Sequence, residues 1–417
     1  MAAGSRTRGH PAASAAIDAM VRGRTPHAIL LVGPAGVGKT TLARDLAAGL
    51  LCEVAPGDRP CGTCRACRLV AADVHPDVHR LTPEGPGRQV TIGGVSGRPR
   101  GIRDLIGALA LLPVEGGARI GIIESAQRMN DDAQAALLKT LEEPASGIVL
   151  VLCADSEEPL LPTIRSRCAR LRLGPVGVRS IEAILVEGGV ADAPTAARLA
   201  RVADGRPGLA LAWAADAEAL VVRDELGRTL LDLLDAGPAE RLAGVRAAVP
   251  RATRLADVGM RPTAEPQPGA AGRRRTGGRA AAPTAASSPA VDAPADEDTD
   301  GDDEVAVTRT PASERRRAAD ALVLRWADLT RDLALCQRGV PGGVRDLALL
   351  DDTSAAAQRL DPADVAAFLD RLGVAGVRLR GNVSPELVLD DLAVQWPRPL
   401  VTGAPSASAA ATSRRAS

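Results

Sequence analysis

A loop with the sequence Gly33-Pro-Ala-Gly36-Val-Gly38-Lys39-Thr40 joins an apolar run to a helical stretch, and four cysteines, Cys52, Cys61, Cys64 and Cys67, follow closely. The loop fits the pattern G-x4-G-K-[ST]. Its glycines let backbone N–H groups turn inward around phosphates, and the helix N-terminus behind it adds its dipole. Lys39 is placed to reach the β and γ phosphates and Thr40 to hold Mg²⁺. ATP with Mg²⁺ is therefore a candidate ligand, with Gly33, Gly36, Gly38, Lys39 and Thr40 as its binding set. The competing reading is a loop kept for its backbone shape alone.

Hydrolysis asks for more than binding. It needs one acid for Mg²⁺ and a second to orient the attacking water. The strand that should deliver them ends Ile122-Ile123-Glu124-Ser125. Glu124 can serve the metal, but Ser125 stands where the second carboxylate is needed, and an unactivated hydroxyl is a poor general base. The expectation is a loop that binds nucleotide and does not turn it over efficiently.

In the cysteine cluster, Cys61-x2-Cys64-x2-Cys67 with Cys52 upstream supplies four thiolates. Four soft ligands with no open position make a structural Zn²⁺ site. An iron–sulfur cluster is the alternative. His75 could replace one ligand, but His75-Pro76-Asp77 reads better as the entry to a strand. The metal is expected to brace a short segment with no core of its own and to do no chemistry.

These groups need elements to hold them. Ala28 to Val32, Arg119 to Glu124 and Gly147 to Ala154 are short, continuous apolar runs, as buried parallel strands are, and Arg170 to Gly174 is a candidate fourth. Thr40 to Leu51 and Asp131 to Glu142 read as helices, the second with Ala135, Leu138 and Leu141 on or near one face. Strand and helix alternate, so the expected fold class is α/β, a parallel sheet with helices on both faces, over residues 1–175. Residues 176–222 turn wholly helical and Ala-rich, and 223–401 read as a second helical domain. Residues 262–312 interrupt it with a Pro-, Gly- and Ser-rich stretch, with Arg273-Arg274-Arg275 near one end and acids from Asp296 to Glu304 near the other. That composition buries too little to offset its ordering entropy and predicts disorder, as does the polar tail at 402–417.

Composition sets outer limits. The 417 residues suit two or three domains, and the net charge is zero, so no overall field draws the chain to DNA or an anionic surface. With no Tyr, one Phe and three Trp, Ala, Leu and Val must do the packing, and stacking of bases on aromatic platforms is excluded as a binding mode. No apolar run is long enough to span a bilayer, no membrane contact is expected, and the N-terminus has no hydrophobic signal segment. Seven cysteines, four of them at metal spacing, fit a reducing cytoplasm better than a disulfide scaffold.

Several blocks together carry a family. They are Gly9-His10, His27-Ala28, the four cysteines, His75-Pro76-Asp77, Ile102-Arg103, the strand ending at Glu124, Ala135 to Pro144 (AALLKTLEEP) and Leu161 to Cys168 (LPTIRSRC). The chain resembles the delta-prime family of bacterial DNA polymerase III clamp-loader subunits, within the AAA+ superfamily. The likeness is close over residues 9–215 and only architectural beyond.

The resemblance implies an AAA+ module with a zinc knuckle near 52–67, a small helical lid and an all-α collar. Through the collar a hetero-pentamer would assemble with gamma/tau and delta subunits. It implies that Arg167, in Ser166-Arg167-Cys168, is an arginine finger that reaches the γ-phosphate held by a neighbouring subunit. The expected role is a stator-like part of the polymerase III holoenzyme that helps load a sliding clamp onto primed DNA. Alternatives are a gamma/tau motor ATPase of the same loader, or a stand-alone AAA+ ATPase of recombination or repair. The first should carry a second acid at Ser125 and an arginine pattern where Gly205-Arg206-Pro207-Gly208 stands.

Overall fold

The structure is a computed structural model and describes residues 4–83, 89–93, 101–115, 117–260, 311–381 and 383–400. The stretch read as an insertion lies outside the described residues except for Pro311 and Ala312, which open a helix, and the tail at 402–417 lies outside them entirely. None of the described helices is long and apolar enough to cross a membrane.

The first module runs α1 (Pro11–Arg22), β1 (Ala28–Val32), α2 (Lys39–Leu51), α3 (Arg65–Ala71), β2 (Val78–Leu81), α4 (Ile102–Leu109), β3 (Arg119–Ile123), α5 (Asp131–Glu142), β4 (Ile148–Ala154), α6 (Pro162–Arg167) and β5 (Ala169–Arg172). The five strands form one parallel sheet in the order β2-β3-β4-β1-β5. Both faces are covered, and β4 shows why its sequence is a continuous apolar run. Val149, Val151 and Cys153 point into the core with α1, α2 and α3, while Ile148, Leu150, Leu152 and Ala154 point into the core with α4, α5 and α6. Side chains alternate with a period of two, so a strand buried on both faces must be apolar at every position.

Helix ends follow local chemistry. The Asn130 side chain caps α5 by accepting from the Ala133 N–H at 3.0 Å, and Asp131 and Asp132 add negative charge to its first turn. The face of α5 differs from the sequence reading. Ala133, Leu137 and Leu141 are buried with Gln134, whereas Ala135 is exposed and Leu138 half-buried. Gln134 is polar yet points inward because its amide donates to the Met129 and Pro159 carbonyls and accepts from the Leu161 N–H, which rotates the helix away from the expected face.

Helices α7 (Val178–Glu187), α8 (Ala193–Val202) and α9 (Pro207–Ala214) follow. Then come α10 (Ala217–Asp232), α11 (Pro238–Met260), α12 (Ala312–Gln337), α13 (Leu350–Ala357), α14 (Pro362–Arg380) and α15 (Pro385–Gln395). Helix α10 runs continuously across residue 222, where the sequence reading passes from lid to collar. The scarce aromatics are concentrated here. Trp326, Phe368 and Trp396 meet with ring centroids 4.7–5.5 Å apart. Buried Arg241 ties the end of α10 to this region by donating to the Leu234 and Pro397 carbonyls at 2.7 and 3.1 Å.

A buried charge cluster joins the small helical unit to the helices behind it. Asp346 accepts from Arg223 at 2.5 Å and Arg325 at 2.8 Å, and Arg345 bridges Asp204 at 2.5 Å and Asp328 at 3.0 Å. Burial pushes the Arg325 guanidinium down to about 10, helped by the neighbouring charge of Arg223. Burial alone would raise the Asp346 carboxyl, but Arg223 and Arg325 win and hold it below the ordinary carboxylate range.

Candidate nucleotide loop and metal cluster

In the strand order, β4 lies between β3 and β1, so the residues just past these three strands share one edge of the sheet. Ligands of open α/β sheets bind beyond the carboxyl ends of their strands. Gly33 to Lys39 follow β1, Glu124 follows β3 and Asp155 follows β4. The loop curls as its glycines allow: Gly36 and Gly38 have φ of 77° and 108°, which side-chain-bearing residues rarely adopt. The Gly33 N–H donates to the Ala154 carbonyl at 3.1 Å, which fixes the loop to β4. His10 closes the other side, with its Nε2 2.9 Å from the Val37 carbonyl oxygen.

Lys39 is the first residue of α2 and is buried. Its ammonium donates to the Gly33 carbonyl at 2.6 Å, the Pro34 carbonyl at 2.8 Å and Asp155 Oδ1 at 2.8 Å. Asp155 is in turn oriented by Gln127, which donates to Oδ2 at 2.9 Å and accepts from the Asp155 N–H at 3.1 Å. The sequence alone assigns no role to Asp155 or Gln127. The signal was there, since Asp155 directly follows a buried strand, but its relevance depends on β4 lying beside β1.

Glu124 is placed at the expected edge, but its carboxylate is already engaged. Arg80 of β2 donates to Glu124 Oε1 through Nε at 3.1 Å and Nη2 at 2.7 Å, and Arg80 also pairs with Asp73. Ser125 adopts a left-handed backbone with φ of 52°, an uncommon state for serine, and begins the turn to Arg128. Above the loop, the N-terminus of α9 sits directly on it. The Gly208 N–H donates to the Gly36 carbonyl at 2.8 Å, and a Cβ on Gly208 would lie 3.1 Å from that oxygen. Arg206 turns from the loop, its Nε donating to the Ala203 carbonyl at 3.0 Å, and burial lowers its pKa.

At the other end of α2, Cys52 is the C-cap, and the chain returns so that Cys64 N-caps α3 and Cys67 lies in its first turn. The sulfur atoms of Cys52, Cys61, Cys64 and Cys67 all lie within 4.8 Å of one another, with Cys52 to Cys64 at 3.9 Å and Cys61 to Cys67 at 4.0 Å. Tetrahedral thiolate coordination at about 2.3 Å per bond puts sulfurs about 3.8 Å apart, so the cluster fits one metal ion. Backbone N–H groups of Thr63 and Cys64 donate to Cys61 at 3.4 and 3.3 Å and hold that thiol down at about 6, a thiolate at neutral pH. Burial pushes Cys52 and Cys67 up, and an uncharged pair beside a thiolate is a state a cation would reverse. The segment is not without a core: Ala66, Cys67 and Val70 of α3 are buried, and Cys67 and Val70 share the core of Leu46, Ala47 and Ala48 of α2. His75 stands apart from the cluster, its Nδ1 accepting from the Asp77 N–H.

Arg167 lies at the end of α6, where it donates to the Thr163 carbonyl at 3.0 Å and pairs with Glu142 of α5 at 2.8 Å. Its contacts are with α5 and α6 and not with the loop around Lys39.

Residues 10–177 match the family model described as DNA polymerase III, delta subunit. The resemblance read from the sequence holds for this module. The chain is 42% identical to DNA polymerase III subunit delta' of Pseudomonas aeruginosa over 149 residues, 36% of this chain and 43% of that protein. Subunit delta' of Bacillus subtilis is 33% identical over 44% of this chain and 52% of its own length. DNA polymerase III subunit tau of Salmonella typhimurium is 34% identical over 44% of this chain and 28% of its length. The chain thus spans less than half of the first of these relatives, and the residues that match the family model hold the loop, the cysteines and Arg167.

Proposed function

We propose that the chain is the delta-prime, stator-like subunit of a bacterial DNA polymerase III clamp loader. In this reading it sits in a hetero-pentamer with gamma/tau and delta subunits, offers Arg167 to nucleotide held by a neighbour, and helps place a sliding clamp on primed DNA. The observation that carries it is the Arg167–Glu142 pair. It joins the two most specific sequence blocks, Ala135 to Pro144 and Leu161 to Cys168, on the surface of the module. Both side chains are partly exposed, at 35% and 49%, and such a pair is worth at most about 1 kcal/mol, so the guanidinium is cheaply released to a phosphate. A finger of this kind contributes about 10³ to 10⁵ in rate by stabilising charge in the transition state.

The chain's own loop fits binding better than turnover. Lys39 and Thr40 can hold ATP with Mg²⁺, but Glu124 is paired with Arg80 and Ser125 supplies no second acid. The four cysteines would hold Zn²⁺, whose role is to pin α3 and the loop before it to α2. Seven cysteines unpaired by disulfides suit a reducing cytoplasm. DNA contacts, if made, would be to phosphates and fall off with salt. The intact Lys39 and Thr40 and the likeness to tau favour a second reading, a motor subunit of the same loader.

Reconstitution with the motor and delta subunits, clamp and primed DNA separates the two. Arg167→Ala is expected to lower stimulated ATPase by about 10³-fold or more at the finger's own interface, and Lys39→Ala to change it less than threefold. The opposite ranking makes this chain a motor.

A further inference from the structure

We infer that Asp155 is a built-in competitor for nucleotide phosphate, a carboxylate that holds Lys39 and sets the affinity of the loop for ATP. The inference rests on reading that loop as a nucleotide site. A lysine ammonium has three donors. Here they go to the Gly33 carbonyl, the Pro34 carbonyl and Asp155, and the side chain is only 9% exposed. A phosphate that approaches Lys39 must take over at least one of these bonds. The carbonyls belong to the loop backbone and move only with the loop. The carboxylate is the one acceptor of the three that carries a charge.

The contact has a built position. Asp155 directly follows β4, the strand beside β1, and the Ala154 carbonyl before it accepts the Gly33 N–H. Gln127 holds Asp155 at both its backbone N–H and its free oxygen, so the carboxylate is aimed at Lys39 from the far side as well. Displacing it leaves a negative charge facing the incoming phosphate, a repulsion added to the lost ion pair. Asp155 is therefore an affinity-determining residue: it fills the place of an anion until a nucleotide evicts it. Asparagine would keep the shape and, with its amide oxygen toward Gln127, both Gln127 contacts, but it removes the charge and presents an NH2 group that cannot accept from Lys39.

The test is calorimetric titration of the full-length chain with MgATP for wild type, Asp155→Asn, Lys39→Ala and the double variant. Asp155→Asn is expected to bind about tenfold tighter or more, the size of one charge-assisted hydrogen bond. In the Lys39→Ala background the gain from Asp155→Asn should shrink, since the part of it that comes from the freed ion pair acts through Lys39. Equal or weaker binding by Asp155→Asn, with binding still lost in Lys39→Ala, overturns the role of Asp155 and leaves the nucleotide reading standing. No binding by wild type or Asp155→Asn, or binding indifferent to Lys39→Ala, removes the nucleotide reading and the inference with it.

Discussion

At the N-terminal end of α2 the ammonium of Lys39 has found three oxygen acceptors within the fold, and at the C-terminal end four sulfurs crowd within 4.8 Å of one another. The two sites are about 20 Å apart along one helix. The first is electrostatically complete without a ligand. The second gathers four thiol sulfurs, two of them on buried cysteines, at a spacing that suits one soft cation. A motif pattern alone does not distinguish these cases. Both motifs fit their patterns in full, yet at one an internal carboxylate already holds the lysine, while the other gathers four sulfurs at metal-binding spacing.

The largest break in this comparison is expected at the cysteines. Cys64→Ala removes a candidate ligand and the N-cap of α3, whose sulfur accepts from the Cys67 N–H. For the proposed zinc site, the expected result is about one bound zinc per wild-type chain, well below one in the variant, and a cost of about 4 kcal/mol or more. Metal analysis and thermal melting check both, with Cys336→Ala, a lone half-buried thiol, as the control. Full stability without metal would mean that the packing of α3 on α2 suffices and that the cluster is not structural.

A middle-sized effect is expected where α9 rests on the loop. Gly208→Val places a Cβ 3.1 Å from the Gly36 oxygen and 3.2 Å from its Cα, and backbone cannot rotate out of the way as a side chain can. Either α9 or the loop must shift, at about 1–3 kcal/mol. Faster limited proteolysis around residues 203–210, with melting otherwise cooperative, is the expected signature. No change would mean that the contact is loose and that α9 does not constrain the loop.

The fold was legible wherever burial on both faces forces continuous apolar sequence, as in β1, β3 and β4. It was obscure where an element is defined by its neighbours. Strand β2 reads Val-His-Arg-Leu and lies at the sheet's edge, where half-buried His79 and Arg80 are tolerated, so only pairing with β3 marks it as a strand. Gln134 is polar yet folds inward because three backbone groups satisfy it. The site divides the same way. Spacing alone gathered the four cysteines and the loop, because each motif is local. Asp155, Gln127 and Arg80 come from other strands or their ends, and only the order β2-β3-β4-β1 brings them to the same edge.

The smallest expected effect tests the claim that the loop end is complete but not a pillar of stability. Lys39→Met removes the ammonium and keeps most of the stem. Asp155 then loses one partner, but it is 42% exposed and keeps Gln127 and solvent, so it is not left as an unpaired buried charge. Pro34 is exposed, so its carbonyl can turn to water, and only the buried Gly33 carbonyl loses a donor that solvent does not replace. Screening and hydration hold the net cost to about 1 kcal/mol or less, a shift of roughly 2–4 °C in melting temperature for a domain of this size. Arg325→Met, in the buried cluster with Asp346, would cost more, because Asp346 would keep Arg223 as a partner but no solvent could replace the lost bond. A loss at Lys39 as large as that would show that the loop is held shut by its ion pair, and that a nucleotide would have to unfold the site in order to enter it.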